Sequence, residues 1–413
     1  MRVGIVGLGY VGLPLAVAFA AADVEVVGVD VDQRRVDAIN AGDSYIEDVP
    51  DSALQAALGH LQATTGYEPL AEADAVLICV PTPLTPNREP ELGPLLSSAQ
   101  KLGGVLRAGQ LVVLESTTYP GTTRERVAPL LERTGLRAGV DFHLAFSPER
   151  VDPGRTDFTL VNTPKVIGGL TEACGDAAEA LYRIVCDEII RVATPEAAEL
   201  TKLLENIFRA VNIALVNELA LLTDRMGIDI WEVIDAASTK PYGFMRFEPG
   251  PGMGGHCLPV DPFYLAWRAR EFDMPVEFIE LAGKLNQQMP YHCVAKLQRT
   301  LNEAGRAVRG SRIAVLGVSY KPGVGDVRES PALKIIALLR ELGAEVVYHD
   351  PLVAELAAAG LRSLALDDAL AGADLALIVT ASRGLDFDAI AKRVPWLLDL
   401  RGVTSPAANV VRL

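Results

Sequence analysis

The chain contains few cysteines and fewer basic than acidic residues, and each shortage argues against certain classes of protein. Its five cysteines are scattered and odd in number, which fits a reducing cytoplasm and not a disulfide framework. No uninterrupted apolar run is long enough to span a bilayer, so we expect no membrane partner. The formal net charge of −15 disfavours nucleic acid as a partner. We therefore expect a cytoplasmic protein, and no residue cluster predicts a metal site.

A glycine motif stands near the start of the chain. A strand pattern precedes the sequence Gly7-Leu-Gly-Tyr-Val-Gly12, and a helix pattern follows it. Gly7 permits the turn, Gly9 lets a pyrophosphate approach the backbone, and Gly12 lets the helix pack on the strand. Asp30 ends the next strand, where a carboxylate accepts hydrogen bonds from ribose hydroxyls and repels a 2′-phosphate. This βαβ unit predicts a dinucleotide site that prefers NAD to NADP.

Strand and helix patterns alternate through the first 193 residues, which predicts a parallel, doubly wound sheet. One helix pattern then runs without a breaker from Pro195 to Met226, which is typical of an interdomain spine or a homodimer contact. A shorter helical region continues from Ile230 to the loop that contains Cys257 and through Phe263–Met289. Strand patterns beginning at Arg312 and ending at Asp350 echo the N-terminal unit. We predict an α/β fold with two Rossmann-like doubly wound domains, joined by a central helical domain with one long helix. The predicted domains are 1–193, 194–298 and 299–413.

Cys257 lies in the segment Gly250-Pro-Gly-Met-Gly-Gly-His-Cys-Leu-Pro-Val-Asp-Pro262. A lone cysteine is more often a small buried hydrophobic residue, and Cys79 within an apolar strand pattern fits that interpretation. Cys257 differs, because glycines let the backbone approach a ligand and prolines favour a rigid loop. A dehydrogenase needs no cysteine to move one hydride, but it needs a nucleophile to hold an aldehyde and oxidise it again. The segment therefore predicts oxidation of an alcohol to an acid in two steps.

Further polar residues suit a single cleft. Lys202 and Asn206 are four residues apart and share a helix face, either as a solvated stripe or as a cation and an amide beside an oxyanion. Glu149 follows a strand end, where it is either a surface carboxylate or a general base for water. The segment Glu115-Ser-Thr-Thr-Tyr-Pro-Gly-Thr-Thr123 follows another strand end, and its hydroxyls suit the positioning of water.

The loop from Ser319 to Ser330 is the counterpart of the glycine motif in the C-terminal domain. It lacks the glycine spacing of a second dinucleotide site. Lys321 and Arg328 within it suit a mononucleotide phosphate better. A few local cations of this kind let an acidic chain bind an anionic ligand.

Several segments of the chain form a set that stands in a fixed order. They are Gly7-Leu-Gly-Tyr-Val-Gly-Leu-Pro14, Val80-Pro-Thr-Pro83, Ser147-Pro-Glu149, Glu199-Leu-Thr-Lys-Leu-Leu-Glu-Asn206, Gly254-Gly-His-Cys-Leu-Pro-Val-Asp261 and Tyr320-Lys-Pro-Gly-Val-Gly-Asp-Val-Arg-Glu-Ser-Pro331. With them the chain resembles the UDP-sugar 6-dehydrogenase family throughout its length. His256 before the cysteine resembles the N-acetylhexosamine branch, whereas the UDP-glucose branch usually has serine there. Ser147-Pro-Glu-Arg-Val-Asp-Pro-Gly154 and Ser116-Thr-Thr-Tyr-Pro-Gly-Thr-Thr123 look most like UDP-N-acetylglucosamine 6-dehydrogenases.

The resemblance implies NAD as the cofactor, a UDP-sugar as the substrate and two oxidations at the sugar C6. Cys257 would add to the aldehyde as a thiohemiacetal and then carry a thioester. Lys202 and Asn206 would stabilise the charge on oxygen. The pathway implied is the synthesis of a surface polysaccharide or a related glycan.

The resemblance also implies how the thioester is hydrolysed and which residues line the site. Water held by Thr118 and Asp261 would be activated by Glu149, and Arg328 would reach toward the cofactor side. The cofactor residues implied are Gly7, Gly9, Tyr10, Val11, Gly12, Asp30, Thr82, Thr118 and Arg328. The substrate residues implied are Glu149, Arg150, Lys202, Asn206, Arg246, Phe247, Gly254, His256 and Lys321.

Three alternatives and one departure accompany this interpretation. The first alternative keeps the same enzyme class with UDP-N-acetylmannosamine or UDP-glucose as the substrate. From another class, a non-catalytic nucleotide-sugar sensor would share the fold but needs no nucleophile. A two-electron hydroxyacid dehydrogenase leaves Cys257 and the third domain unexplained. The departure is Glu248, which stands where related sequences often carry an aromatic residue, near the loop expected to bind UDP.

Overall fold

The computed structural model of the protein describes residues 1–85, 87–152, 155, 157–255 and 258–413. These residues fall into two units. The first consists of Met1–Glu205 and Phe263–Met274, and the second of Asn206–Pro262 and Pro275–Leu413. The three domains predicted from the sequence, with boundaries after residues 193 and 298, divide the chain differently and stay a prediction.

The first unit contains an eight-stranded sheet. Its strands are β1 (Arg2–Val6), β2 (Glu25–Val29), β3 (Leu61–Thr64), β4 (Ala75–Ile78), β5 (Leu111–Leu114), β6 (His143–Phe146), β7 (Lys165–Gly169) and β8 (Ile189–Val192). They pair in the order β3-β2-β1-β4-β5-β6-β7-β8. Every neighbouring pair is parallel except β6 with β7, which places Phe146 opposite Gly168. The predicted parallel, doubly wound sheet is confirmed, with one antiparallel step that the strand patterns did not reveal.

The helices of the first unit complete its core. They are α1 (Gly12–Ala21), α2 (Gln33–Ala41), α3 (Asp51–Ala57), α4 (Gly93–Gly103), α5 (Ala128–Leu131) and α6 (Glu172–Tyr182), with a π-helical turn over Thr122–Val127. Strands such as β4 and β5 are short apolar runs buried along their length, as expected for parallel strands covered on both faces. Leu13 and Phe19 of α1 share one core with Val3 and Ile5 of β1.

One helix, α7 (Pro195–Met226), begins in the first unit and continues in the second. The Thr194 hydroxyl caps it by accepting a hydrogen bond from the Ala197 amide at 3.2 Å, and Gly227, at φ +70°, ends it. Both limits match the prediction. At about 1.5 Å per residue the helix is about 48 Å long. Its length and composition would also allow it to cross a membrane, a criterion that core helices of soluble proteins meet as well.

The second unit contains a five-stranded sheet and a two-stranded hairpin. Its strands are β9 (Arg312–Leu316), β10 (Glu345–His349), β11 (Glu355–Leu356), β12 (Leu361–Arg362), β13 (Leu375–Ile378), β14 (Leu397–Asp399) and β15 (Val410–Arg412). The sheet is parallel in the order β10-β9-β13-β14-β15, and β11 pairs antiparallel with β12. The second Rossmann-like domain predicted from the sequence is therefore confirmed.

The remaining helices include those of the helical region predicted from Ile230 through Met289. They are α8 (Ile230–Ser238), α9 (Asp261–Ala269), α10 (Glu277–Glu303), α11 (Pro331–Glu341), α12 (Leu366–Leu370) and α13 (Phe387–Ala391). In the helical region predicted through Phe263–Met289 the chain forms two helices, α9 and then α10. Asp273 lies between them with φ +58°, a left-handed conformation that ends a helix, and Pro275 follows.

Candidate active site

The glycine motif of the first unit leaves open space at its centre. Gly7 has φ +91°, and a Cβ on it would lie 2.7 Å from the carbonyl oxygen of Cys79. A Cβ on Gly12 would lie 1.9 Å from the carbonyl oxygen of Gly7, so α1 packs on the turn only with glycine there. A Cβ on Gly9 would meet no described atom within 4 Å. The turn is therefore closed toward the protein and open at Gly9, which fits a bound pyrophosphate. Tyr10 and Val11 are half-buried beside it.

Asp30 ties the end of β2 to this turn. It is buried, and its Oδ2 accepts a hydrogen bond from the Leu8 amide at 3.0 Å. The guanidinium of Arg35 lies 3.5 Å from the same oxygen and over the ring of Tyr45, at 5.5 Å from its centroid. Sequence reasoning missed this cation because it treated the Asp30 carboxylate as the only charge of the motif. A basic residue five positions after the acid was the available signal.

Thr118 and Thr82 lie on two loops that follow neighbouring strands. The Thr118 hydroxyl is fully buried and has no hydrogen-bond partner among the described residues. The Thr82 hydroxyl donates to the carbonyl oxygen of Thr117 at 2.7 Å, and the Thr82 carbonyl accepts from the Tyr264 hydroxyl at 2.8 Å. A buried hydroxyl without a partner is costly, so Thr118 is suited to bind a ligand atom or a water molecule.

The loop that carries Thr118 is attached to α7 by Glu199. The Glu199 carboxylate accepts hydrogen bonds from the amides of Gly121 and Thr123, at 2.6 and 2.8 Å, and from the Thr123 hydroxyl at 2.7 Å. Burial raises the pKa of Glu199 to about 7, and these three donors oppose that rise. Sequence reasoning quoted Glu199 in a motif but gave it no role.

Glu149 follows β6 with a defined orientation. Its Oε1 accepts hydrogen bonds from the amides of Arg150 and Val151, at 2.7 and 2.6 Å. The Arg150 guanidinium forms an ion pair with Glu205, at 2.8 Å between Nη2 and Oε1. Backbone amides of this kind hold a carboxylate in one rotamer, so Glu149 is not a freely moving surface acid.

Lys202 and Asn206 lie one turn apart on α7, and both side chains are buried. Their burial excludes a solvated polar stripe. The Asn206 side-chain amide donates a short hydrogen bond to Oδ2 of Asp261, the first residue of α9, and Asp261 is buried too. This hydrogen bond fixes the Asn206 amide against the Asp261 carboxylate. Asp261 lies four residues after Cys257 in the chain.

Glycines shape the segment before the predicted nucleophile. Gly252 and Gly255 have φ +126° and +87°, and the Gly255 amide donates to the Arg328 carbonyl oxygen at 3.0 Å. A Cβ on Gly254 would lie 2.7 Å from the Cβ of Tyr320. Gly254 and Gly255 thus let this segment pack closely against the loop at residues 319–330. His256 and Cys257 lie outside the described residues.

A chain of buried amides anchors the start of the same segment. The Asn217 side chain accepts from the Gly250 amide and donates to the Asn286 side chain, both at 2.9 Å. Asn286 in turn donates to the carbonyl oxygen of Ala210 at 3.1 Å. Sequence reasoning missed Asn217 and Asn286, because single asparagines within helix patterns gave no signal.

The C-terminal sheet repeats the arrangement of the glycine turn. Oδ2 of Asp350 accepts hydrogen bonds from the amides of Val318 and Ser319, at 2.8 and 3.1 Å. The predicted phosphate residues follow: Lys321 extends over the ring of Tyr320, and the Arg328 guanidinium forms an ion pair with Asp326 at 2.6 Å. This fits a loop held in place by its own charges.

Arg246 and Phe247 lie on the segment after α8. The Arg246 guanidinium contacts Asp235 at 2.7 Å and Glu248 at 3.0 Å, so the unusual acid is one of its two acidic partners. The Phe247 ring packs edge-on against Phe208, with centroids 5.7 Å apart. Glu248 therefore orients the arginine that sequence reasoning assigned to the substrate.

Family comparisons match the chain in three consecutive segments. The NAD binding domain of the UDP-glucose/GDP-mannose dehydrogenase family matches residues 1–186, its central domain matches residues 196–288, and its UDP binding domain matches residues 314–406. These matches confirm the family resemblance and the enzyme class predicted from the sequence motifs. They also confirm NAD as the cofactor.

Individual proteins resemble the chain over most of its length. A UDP-N-acetyl-D-mannosamine dehydrogenase from Pyrococcus horikoshii is 41% identical over 92% of this chain and 89% of its own. A UDP-N-acetyl-D-glucosamine 6-dehydrogenase from Pseudomonas aeruginosa is 38% identical over 86% of this chain and 83% of its own. A solved structure of the UDP-D-ManNAc dehydrogenase from Pyrococcus horikoshii superposes with a TM-score of 0.91, covering 100% of this chain and 98% of that one at 38% identity. Relatives of similar identity thus carry the names of different UDP-N-acetylhexosamines.

Proposed function

Because the chain belongs to the UDP-glucose/GDP-mannose dehydrogenase family, we propose that it oxidises the C6 alcohol of a UDP-N-acetylhexosamine to the uronic acid, with two equivalents of NAD+. The observation that carries the proposal is the buried pair of Asn206 and Asp261, on either side of Cys257 in the chain and one helical turn from Lys202. A non-catalytic sensor or a two-electron dehydrogenase requires neither a nucleophile nor an oriented amide and cation that stabilise an oxyanion.

The first half of the reaction forms the covalent intermediate. Gly7, Gly9, Gly12 and Asp30 would hold NAD+, which would supply the hydride acceptor for both oxidations, from alcohol to aldehyde and from thiohemiacetal to thioester. The Cys257 thiolate adds to the C6 aldehyde, so that a carbon–sulfur bond forms and negative charge develops on the aldehyde oxygen. The Lys202 ammonium and the Asn206 amide stabilise that charge, and Asp261 fixes the amide for this purpose.

The second half hydrolyses the thioester. Water adds to the acyl carbon, the carbon–sulfur bond breaks, and the Cys257 thiolate leaves. Glu149 accepts the proton that the water loses. Support comes from its fixed carboxylate and from the buried Thr118 hydroxyl, which is suited to hold the water.

The sugar we propose is UDP-N-acetylglucosamine, with UDP-N-acetylmannosamine as the second candidate. The loops at residues 116–123 and 147–154 support the former by their resemblance, and the Pyrococcus horikoshii relative supports the latter by its name. The two sugars differ only in configuration at C2, so the decision depends on a few contacts to the N-acetyl group.

A panel of UDP-sugars tests both the proposed reaction and the proposed sugar. The purified protein is incubated with NAD+ and UDP-N-acetylglucosamine, UDP-N-acetylmannosamine or UDP-glucose, and NADH is counted against sugar consumed. We expect two NADH per N-acetylhexosamine. One NADH per sugar would identify a two-electron dehydrogenase, and binding without NADH would identify a sensor.

The proposed assembly is a cytoplasmic homodimer without nucleic-acid or membrane partners. The outer face of α7 exposes large apolar side chains, which favours a contact with a second copy. The members of this face are Leu200, Leu204, Phe208, Leu215, Leu219, Leu222 and Met226. The four described cysteines are free and buried, which suits a reducing compartment.

A further inference from the structure

A lysine is buried between two carboxylates where strands of the first sheet end. Lys165 is the first residue of β7, and its side chain is 3% exposed. Its Nζ lies 2.7 Å from Oε2 of Glu115 and 3.9 Å from Oε2 of Glu149. A buried ammonium is costly unless it is paired and hydrogen-bonded, so this arrangement calls for a functional explanation.

Glu115 determines where the ammonium lies. It directly follows β5, is fully buried, and accepts a short hydrogen bond from the Tyr182 hydroxyl on its other oxygen. The Lys165 ammonium also lies 5.0 Å from the centroid of the Tyr182 ring. With both of its oxygens engaged, Glu115 holds Lys165 in one position.

Glu149 uses its two oxygens differently. Oε1 accepts the two backbone hydrogen bonds from Arg150 and Val151, whereas Oε2 faces Lys165. A separation of 3.9 Å is too long for a hydrogen bond, so the lysine acts on Oε2 through its charge. A lysine in direct contact would occupy Oε2. Held back by Glu115, it leaves that oxygen available to a water molecule.

We propose that Lys165 is a positioning residue for Glu149, whose Oε2 it holds by charge attraction in the orientation that accepts a proton from water. The inference rests on the proposed function, in which Glu149 is the general base. Lys165 itself does not touch substrate or cofactor in this proposal.

The other titratable groups facing Lys165 do not replace this interaction. Burial raises the pKa of the Cys79 thiol and of the Tyr182 phenol well above their ordinary values, and it raises the pKa of Cys186 to about 11. These groups are therefore neutral near pH 7. Burial lowers the pKa of Lys165, but the carboxylates of Glu115 and Glu149 outweigh it and raise the pKa above its ordinary value. The lysine is charged while the base works.

The test separates hydrolysis from the oxidations. Enzyme loaded with thioester in a single turnover is quenched over time, and the covalent adduct is followed by intact mass spectrometry while NADH release reports the oxidations. The double variant Lys165→Met with Glu115→Gln removes the ammonium without leaving Glu115 as an unpaired buried charge. We expect it to hydrolyse the thioester about tenfold more slowly than the wild type, because Glu149 loses its orientation, while the rate of NADH release in the oxidations stays unchanged.

Two further variants make the result decisive. Lys296→Met removes a buried lysine that pairs with Asp224 at 2.6 Å in the second unit, and we expect it to lower stability without slowing hydrolysis. Glu115→Gln alone removes the carboxylate that holds Lys165 back, so the ammonium should move into contact with Oε2 of Glu149 and slow hydrolysis as well. This variant decides the matter if the double variant does not fold.

The inference is overturned if a folded double variant hydrolyses the thioester at the wild-type rate, or if Glu115→Gln does. A wild-type enzyme that releases no NADH with any UDP-sugar instead refutes the proposed function. Wild-type release of two NADH with unaltered variants refutes the role of Lys165 alone.

Discussion

The side-chain amide of Asn206 donates a hydrogen bond to the carboxylate of Asp261, fifty-five residues later in the chain. Both residues are buried, so neither side chain exchanges this partner for water. An amide fixed through one N–H presents its second N–H in a constant direction. Preorganised donors of this kind stabilise an oxyanion without rearranging during the reaction. The pair is the structural basis of the first prediction.

Replacing Asp261 with asparagine should lower kcat far more than it changes KM. The amide oxygen of the new side chain is a weaker acceptor for the Asn206 N–H than a charged carboxylate, so the oxyanion donor loses its orientation. We expect at least a tenfold loss of kcat, or about 1.4 kcal/mol in the barrier. Steady-state kinetics with the preferred UDP-sugar measure it. Asp388→Asn, which alters an exposed acid bonded to Ser405, is the control. Equal losses in both variants would point to a general effect of removing an acid.

Replacing Cys257 with serine should lower turnover at least a hundredfold, which is on the order of 3 kcal/mol in the barrier. A serine hydroxyl is far less nucleophilic than a thiolate, and the alkoxide leaves less readily from the ester. Part of the protein should carry a sugar adduct, which intact mass spectrometry detects after incubation with NAD+ and UDP-N-acetylglucosamine. Near-normal NADH production would show that Cys257 is not the nucleophile.

Replacing Asp30 with alanine should weaken NAD+ binding and improve the use of NADP+. The variant loses the acceptor for the ribose hydroxyls and leaves the Arg35 guanidinium to attract a 2′-phosphate. The ratio of kcat/KM for the two cofactors measures the change. Adding Arg35→Ala should reverse the gain with NADP+. Unchanged kinetics with both cofactors would remove Asp30 from the site.

The outer face of α7 should form a homodimer contact. Light scattering at micromolar concentration should give a dimer for the wild type and a monomer for Leu215→Glu. Leu352→Glu is a matched control, because Leu215 and Leu352 are both 53% exposed but Leu352 follows β10 and is not part of α7. A wild-type monomer, or dissociation of both variants, would contradict this prediction.

Glu199 should make the protein lose stability as the pH rises from about 5 to about 7.5. Its pKa is raised to about 7 in the folded protein, so the folded state holds a proton that the unfolded chain releases near its ordinary value of 4.5. Stability from this group is complete below pH 4.5 and is lost as the pH passes 7. Relative to Glu199→Gln, which cannot titrate, we expect the wild-type free energy of unfolding to fall by on the order of 3 kcal/mol. Urea denaturation across this pH range measures it, and a constant difference between the two proteins would refute it.

Local patterns predicted much of the fold. The strand Arg2–Val6, the glycine turn and both ends of α7 follow from residues within a few positions of each other, because turns, caps and periodicity are local properties. Short strands such as Leu61–Thr64 and Val410–Arg412 were missed, since three or four residues carry too little periodicity.

By itself the sequence determined the classes of residue that this protein brings to its chemistry: a glycine turn with an acid, a cysteine in a glycine-rich loop, and a lysine and an asparagine one turn apart on a long helix. Only the tertiary structure decided their partners. Glu115 and Lys165 are fifty residues apart, and Asn217 and Asn286 sixty-nine, so no local pattern relates them. The antiparallel step between β6 and β7 brings Lys165 to the strand ends that carry Glu115 and Glu149. Burial then makes these pairings obligatory, because a charge or an amide removed from water must find its partner within the protein.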